Sequence, residues 1–135
     1  MKKCGSNCTS CPYIKEGKMF KINGKEWKIN KPAYCKSYNL VYAILCRKDN
    51  CHQIYIGETK RMLQHRVADH RGYVTNKMTD KPTGEHFNSP GHSLSDMEVT
   101  IIEQNRRKGT EYRKEREHYF IRKFDTFYRG LNRQK

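Results

Sequence analysis

Apolar and polar positions divide this chain into a short cysteine-rich segment and a longer run of strand and helix patterns. Leu40-Val41-Tyr42-Ala43-Ile44 is apolar on both faces, as suits a strand at the centre of a sheet. Ile54-Tyr55-Ile56-Gly57 reads as a second strand, separated from the first by Cys46-Arg47-Lys48-Asp49-Asn50-Cys51. If the hairpin closes over the four residues between the cysteines, Cys46 faces Cys51 and Tyr42 faces Tyr55. Opposed residues have Cβ atoms about 4.5–5.5 Å apart, so two thiols would share the tip and two phenols would lie further down. A helix is expected from near Thr59 to about Arg71, with Leu63 and Val67 one turn apart. Residues 75–96 are polar, hold two Pro and two Gly, and read as a loop. Glu98-Val99-Thr100-Ile101-Ile102 is a third strand, Thr110 to Phe124 a second helix, and Gly130 lies in the tail.

Upstream, Phe20-Lys21-Ile22-Asn23-Gly24-Lys25-Glu26-Trp27 has a hairpin pattern in which Asn23-Gly24 suits a type I′ turn and Phe20 sits opposite Trp27. Residues 1–36 hold too few apolar side chains to fold unaided, so a staple is expected there. The expected fold class is α/β: a small three-stranded antiparallel sheet flanked by helices, with an N-terminal cysteine-rich zinc-binding segment over residues 1–36 and a second unit over 37–135.

Charge narrows the partners. Lys and Arg number 28 against 14 acidic residues, a formal net charge of +14, which favours a polyanion, most commonly nucleic acid. No apolar run approaches a spanning helix and no export signal follows Met1-Lys2-Lys3, so the expectation is a soluble, intracellular chain with no membrane partner. Six cysteines could form three disulfides, as in small secreted proteins. Their spacing favours zinc instead: Cys4-x3-Cys8-x2-Cys11 with Cys35 downstream can supply four thiolates, the alternative being disulfides or free structural thiols. A second set, Cys46-x4-Cys51 with His86-x5-His92, would pin the 75–96 loop to the hairpin tip, the alternative being solvated loop histidines. Two loaded zinc sites would lower the net charge from +14 to about +12, still strongly basic.

Reactive groups gather on the helices. Arg66 and His70 are four residues apart, and His70 falls between Leu63 and Val67 on the face that should meet the sheet. An arginine and a histidine aimed at a strand pair bearing two tyrosines make a phosphate pocket, although Arg66 alone also reads as a solvated helix arginine. Glu117 lies on the stripe formed by Phe120, Ile121 and Phe124, whereas Glu111 and Glu115 fall on the far side. A carboxylate on a buried face needs a cation, either Mg²⁺ or the guanidinium of a nearby arginine. Asn132, in Arg129-Gly130-Leu131-Asn132, could be a tail residue only.

Taken in order, these residues resemble the GIY-YIG nuclease family. Leu40-Val41-Tyr42 occupies the first motif position and Tyr55-Ile56-Gly57 the second, followed by Arg66 and His70, then Glu117, then Asn132. The first motif departs from the family by reading Leu-Val-Tyr. Within the family the chain looks most like the endonuclease domain of Penelope-like retroelements. That likeness rests on the Cys46/Cys51 pair, Gly57-Glu58-Thr59-Lys60-Arg61, His86-Phe87-Asn88-Ser89-Pro90-Gly91-His92, Gly130-Leu131-Asn132 and the upstream cysteines. The resemblance implies a GIY-YIG endonuclease domain over residues 37–135 and hydrolysis of a DNA phosphodiester with Mg²⁺ or Mn²⁺ held by Glu117. It also implies a Cys2His2 zinc site and catalytic roles for Tyr42, Tyr55, Arg66, His70 and Asn132. Tyr42 would be the general base, Tyr55 would shape the site, Arg66 would clamp the phosphate, His70 would relay a proton, and Asn132 would position the Glu117 side. It further implies DNA and a reverse transcriptase domain as partners, a nuclear location, and a nick whose 3′-OH primes reverse transcription. The alternative from residues alone is a non-catalytic, zinc-stabilised nucleic-acid binding module.

Overall fold

A computed structural model describes residues 1–4, 8–22, 24–29, 32–105 and 107–133. The element order is β1 (Met19–Ile22), β2 (Lys25–Lys28), β3 (Leu40–Cys46), β4 (Ile54–Thr59), α1 (Leu63–Thr75), α2 (Pro82–Phe87), β5 (Met97–Gln104) and α3 (Thr110–Lys123). The protein is α/β. An antiparallel three-stranded sheet runs β4-β3-β5, and β1-β2 form a separate two-stranded ribbon. Among the described residues no helix is long and apolar enough to cross a membrane.

β3 is central because its side chains are apolar in both directions, and Leu40 to Ile44 are all buried. One face of the sheet, carrying Leu40, Tyr42 and Ile44, packs with Leu63, Val67 and Val74 of α1 and with Met1, Ile14 and Cys35. The other face, carrying Val41, Ala43, Ile54 and Ile56, packs with Phe120, Ile121 and Phe124 of α3 and with Phe20 and Ile22. Residues from the first 36 thus enter both cores. Phe20 pairs with Trp27 as expected, and Trp27 donates its indole N–H to the Ile102 carbonyl at 2.9 Å. Its ring meets Phe120 edge-on at 4.9 Å. The segment is therefore held by the body of the protein as well as by its cysteines. Gly24 has φ +77°, which suits the expected turn, while Asn23 lies outside the described residues.

Three expectations need correction. The β3–β4 register places Tyr42 opposite Gly57 and Tyr55 opposite Ile44, two residues from the expected pairing of Tyr42 with Tyr55. A shift of two preserves the face, so both phenols still point toward α1. Cys46 and Cys51 consequently do not oppose each other on the ladder. Cys46 ends β3 opposite Met97, and Cys51 lies in the loop, its N–H donating to the Lys48 carbonyl at 3.0 Å.

The second correction is the helix start. Thr59 is the last residue of β4, paired with Leu40, and α1 begins at Leu63. Third, residues 75–96 are not one loop: they contain α2 and a 3₁₀ turn at Leu94–Asp96. Pro82 at the first turn is pre-organised for a helix start, and burial of Thr83 and Phe87 completes α2.

Candidate functional site

α1 delivers two side chains to the tyrosine face of the sheet. Arg66 donates through Nε to the Tyr42 oxygen at 2.9 Å, and the same oxygen lies 2.8 Å from His70 Nε2. A guanidinium has only donors, so the Tyr42 oxygen accepts from Arg66 and shares its second bond with His70 Nε2, in a direction that follows the histidine tautomer. On its other side His70 Nδ1 lies 2.7 Å from Thr83 Oγ1 on α2. Burial, followed by the Arg66 charge, holds His70 well below the usual histidine range and therefore neutral. Burial also pushes the Tyr42 phenol well above its ordinary value, with Tyr55 adding to the rise and Arg66 opposing it. Tyr55 is raised by the same cause, with Arg66 again opposing.

Tyr42 and Tyr55 have ring centroids 6.5 Å apart and both rings touch His70, but their exposure differs. Tyr42 is 1% exposed, while Tyr55 is half-buried and lines a cleft of about 340 Å³. Arg66, His70, Tyr73, Glu117 and Asn132 line the same cleft. Tyr42 lies beneath it, covered by Arg66 and His70. Two groups that the residue pattern did not single out complete this arrangement. Thr83 hydrogen-bonds His70 Nδ1 and orients its ring, and Tyr73 accepts from Arg66 Nη1 at 3.1 Å. Tyr73 falls one turn past His70 and could have been found by helical spacing; Thr83 lay in the segment read as loop.

Glu117 arrives from the opposite face of the sheet, around the edge strand β4. The outward backbone groups of β4 are met in turn: Leu131 N–H donates to the Ile54 carbonyl at 2.8 Å, and the Asn132 amide spans both Ile56 groups at 2.8 Å each. The Glu117 carboxyl lies beside Glu58 of β4, whose charge raises its pKa and whose backbone opposes that rise. Asn132 also accepts from the Thr126 hydroxyl at 2.7 Å, so it ties the chain beyond α3 to the strand that carries Tyr55. It is no loose tail residue: it satisfies a strand edge that would otherwise be open.

Glu117 has no arginine partner among the described residues. Arg113 pairs with Glu58, and Arg116 with Glu103 through two bonds of 2.8 Å. Burial first, then the Glu58 charge, pushes the Glu117 carboxyl up to about 7 from 4.5. A raised folded-state pKa favours the protonated form. Its stabilising contribution is whole below about 4.5 and is lost as pH climbs through about 7. Glu117→Gln, neutral throughout, should raise the thermal midpoint of divalent-cation-free protein at about pH 8 and change it little at about pH 4. Equal shifts at both pH values in thermal unfolding would mean that the Glu117 charge is not the costly element.

Both cysteine sets converge. The ligand atoms of Cys4, Cys8, Cys11 and Cys35 lie within 4.8 Å of one another, as do those of Cys46, Cys51, His86 and His92. No disulfide joins the six cysteines, and the Cys4–Cys11 and Cys11–Cys35 sulfurs stand 3.4 Å apart, against about 2.05 Å in a disulfide. Four thiolates around zinc at about 2.3 Å would place sulfurs at nearly this separation. His92 Nδ1 is engaged by Ser89 Oγ and the Pro90 carbonyl, both at 3.2 Å, which leaves its buried Nε2 with no partner. An orphaned imidazole nitrogen aimed into a Cys2His set fits a metal ligand. Burial, with His92 adding, lowers the His86 pKa and keeps it neutral, while burial pushes the Cys46 thiol up to about 11. A bound cation would reverse that and hold the thiolates. Both sets are chemically suited to structural zinc.

No protein-family model, curated protein or solved structure matches this chain. The cleft therefore has to be read from its own chemistry.

Proposed function

We propose that this protein is a metal-dependent DNA endonuclease of the GIY-YIG type, resembling that of Penelope-like retroelements, which nicks target DNA and leaves a 3′-OH to prime reverse transcription. The observation that carries this reading is the cleft itself. Tyr55, Arg66, His70 and Glu117 line it, with Tyr42 directly beneath, and these are the residues that carry the resemblance to the GIY-YIG family. A basic excess of +14 suits a polyanionic substrate.

Glu117 is an unpaired carboxylate in an open cleft, and its site leaves room for waters and phosphate oxygens around a hard cation. Mg²⁺ or Mn²⁺ held there would supply positive charge against the scissile phosphate and the leaving 3′ oxygen. Arg66 moves from the Tyr42 oxygen to the phosphate, trading a neutral acceptor for a charged one, and so uncovers Tyr42. The attacking water gives its proton to the Tyr42 oxygen as the phenol passes its own to neutral His70 Nε2. No free phenolate has to persist; the step instead charges His70, which burial opposes and which Arg66 opposes less once it has left for the phosphate. The step uses His70 with its proton on Nδ1, where Thr83 Oγ1 can accept it. Tyr55 shapes the cleft, and Asn132 fixes the strand that carries it. The water oxygen bonds to phosphorus, the P–O3′ bond breaks, and solvent protonates the 3′ oxygen.

The test is Mg²⁺-dependent conversion of supercoiled plasmid to nicked circle, wild type beside Glu117→Ala, with zinc content measured in both. Glu117→Ala should lower the rate about 1000-fold, or about 4 kcal/mol on the barrier, in a folded, metal-loaded chain. Equal rates would point to a contaminant or another site. A wild type that binds DNA and never nicks would favour the binding module.

A further inference from the structure

One cation in the cleft has no role in the chemistry above. Lys81 lines the same cleft as Arg66 and Glu117 and is half-buried at the residue that precedes α2. Among the described residues no carboxylate forms an ion pair with it, although Asp80 also borders the cleft. Its Nζ stands 5.5 Å from the centre of the Tyr73 ring. The Arg66 guanidinium carbon stands 5.9 Å from that same centre, and Arg66 Nη1 also bonds the Tyr73 hydroxyl. A single aromatic ring thus lies within cation–π reach of both cations. Arg133, the other cation on this wall, is already committed: it bonds the Asp80 carbonyl at 2.7 Å and Glu85 at 3.1 Å.

We infer that Lys81 binds the DNA phosphate adjacent to the scissile one on the same strand, with Tyr73 setting its spacing from Arg66. This rests on the endonuclease reading. Arg66 is also paired with Asp69 at 3.2 Å, whereas Lys81 has no carboxylate partner among the described residues, so a ligand with anions repeating at short intervals supplies the counter-charge that Lys81 lacks. Phosphates on one strand recur every ~3.4 Å along the duplex axis, so a strand bound at Arg66 carries further phosphates along the wall that Lys81 lines. The division of labour follows from the side chains. Arg66 offers a planar fork for the reacting phosphate, whereas Lys81 offers a compact charge on a flexible stem that accepts any sequence.

The experiment uses the full chain carrying Glu117→Gln, with and without Lys81→Ala, titrated with a short mixed-sequence DNA duplex over a salt series. Lys81→Ala should weaken binding alike for every sequence and make the slope of log K against log salt shallower by about 1. Lys81→Arg should restore the slope. In chains that retain Glu117, the loss of nicking efficiency from Lys81→Ala should fall in KM rather than kcat. An unchanged slope in a folded, DNA-binding Lys81→Ala chain would overturn the phosphate subsite. A slope change together with a wild-type chain that binds DNA and never nicks would support a phosphate contact at Lys81 and overturn the endonuclease reading instead.

Discussion

Gly57→Ala should reduce plasmid nicking about 100-fold and lower thermal stability by about 1–3 kcal/mol, while both cysteine centres keep their metal. The cause is the Tyr42–Gly57 pairing. A Cβ built at Gly57 falls inside the Tyr42 phenol and 2.9 Å from Tyr55 Cε2. Tyr42 cannot retreat: it is 1% exposed, and its oxygen is held by Arg66 on one side and His70 on the other. The added methyl must therefore push the phenol out of line with both partners. Displacement of about 1 Å at a reacting group is enough for a loss of this size. The glycine is required for space, since its backbone is ordinary strand. Nicking rate, thermal midpoint and zinc content together check the expectation. Wild-type activity in a folded Gly57→Ala chain would mean that the Tyr42 position does not govern the chemistry.

Cys35→Ala should release one of about two zinc equivalents and destabilise the protein by more than about 4 kcal/mol, a magnitude typical of losing a structural metal. Cys35 is wholly buried and does two jobs at once. Its sulfur belongs to the four-cysteine set, and its carbonyl accepts the Gln64 N–H at 2.8 Å. α1 has no side-chain cap at its start; the Leu63 and Gln64 N–H groups are taken by the Ser37 and Cys35 carbonyls. The Ser10 hydroxyl adds a bond to the Gln64 carbonyl at 3.3 Å. The N-terminal cysteine centre thus holds the first turn of the helix that carries Arg66 and His70. Metal analysis and thermal unfolding read both effects. Two zinc equivalents and an unaltered midpoint in Cys35→Ala would exclude Cys35 as a ligand.

Much of this arrangement is legible along the chain. The double-sided apolar run of β3 marks a central strand, and a period near 3.6 marks α3 almost to the residue. The spacing of Arg66 and His70 aims both at the sheet, and the Glu117 position beside Phe120 and Ile121 flags an unusual carboxylate. Both cysteine sets follow from residue type and spacing. The hairpin register is not legible in this way. Placing Cys46 opposite Cys51 and placing Tyr42 opposite Gly57 both keep the same faces, so patterning cannot choose between them. The bulk of the Tyr42 ring chooses, because only glycine leaves room for it. α2 was likewise hidden in a polar segment, since its stability comes from packing against α1 rather than from its own periodicity.

What the amino-acid order determined by itself is therefore local: which segments extend or coil, which faces are apolar, and which side chains can carry metal or proton chemistry. Tertiary structure decided how those groups meet. It covered Tyr42 with Arg66 and His70, gave His70 a partner in Thr83, and held Arg66 and Lys81 on the Tyr73 ring. It also brought Glu117 around the edge of β4 from the opposite face, beside an Asn132 that closes that edge. The physical reason is range. Propensity and periodicity act over a few residues, whereas the contacts that cover Tyr42, partner His70 and seat Asn132 join positions from 13 to 76 residues apart and form only when separate elements pack.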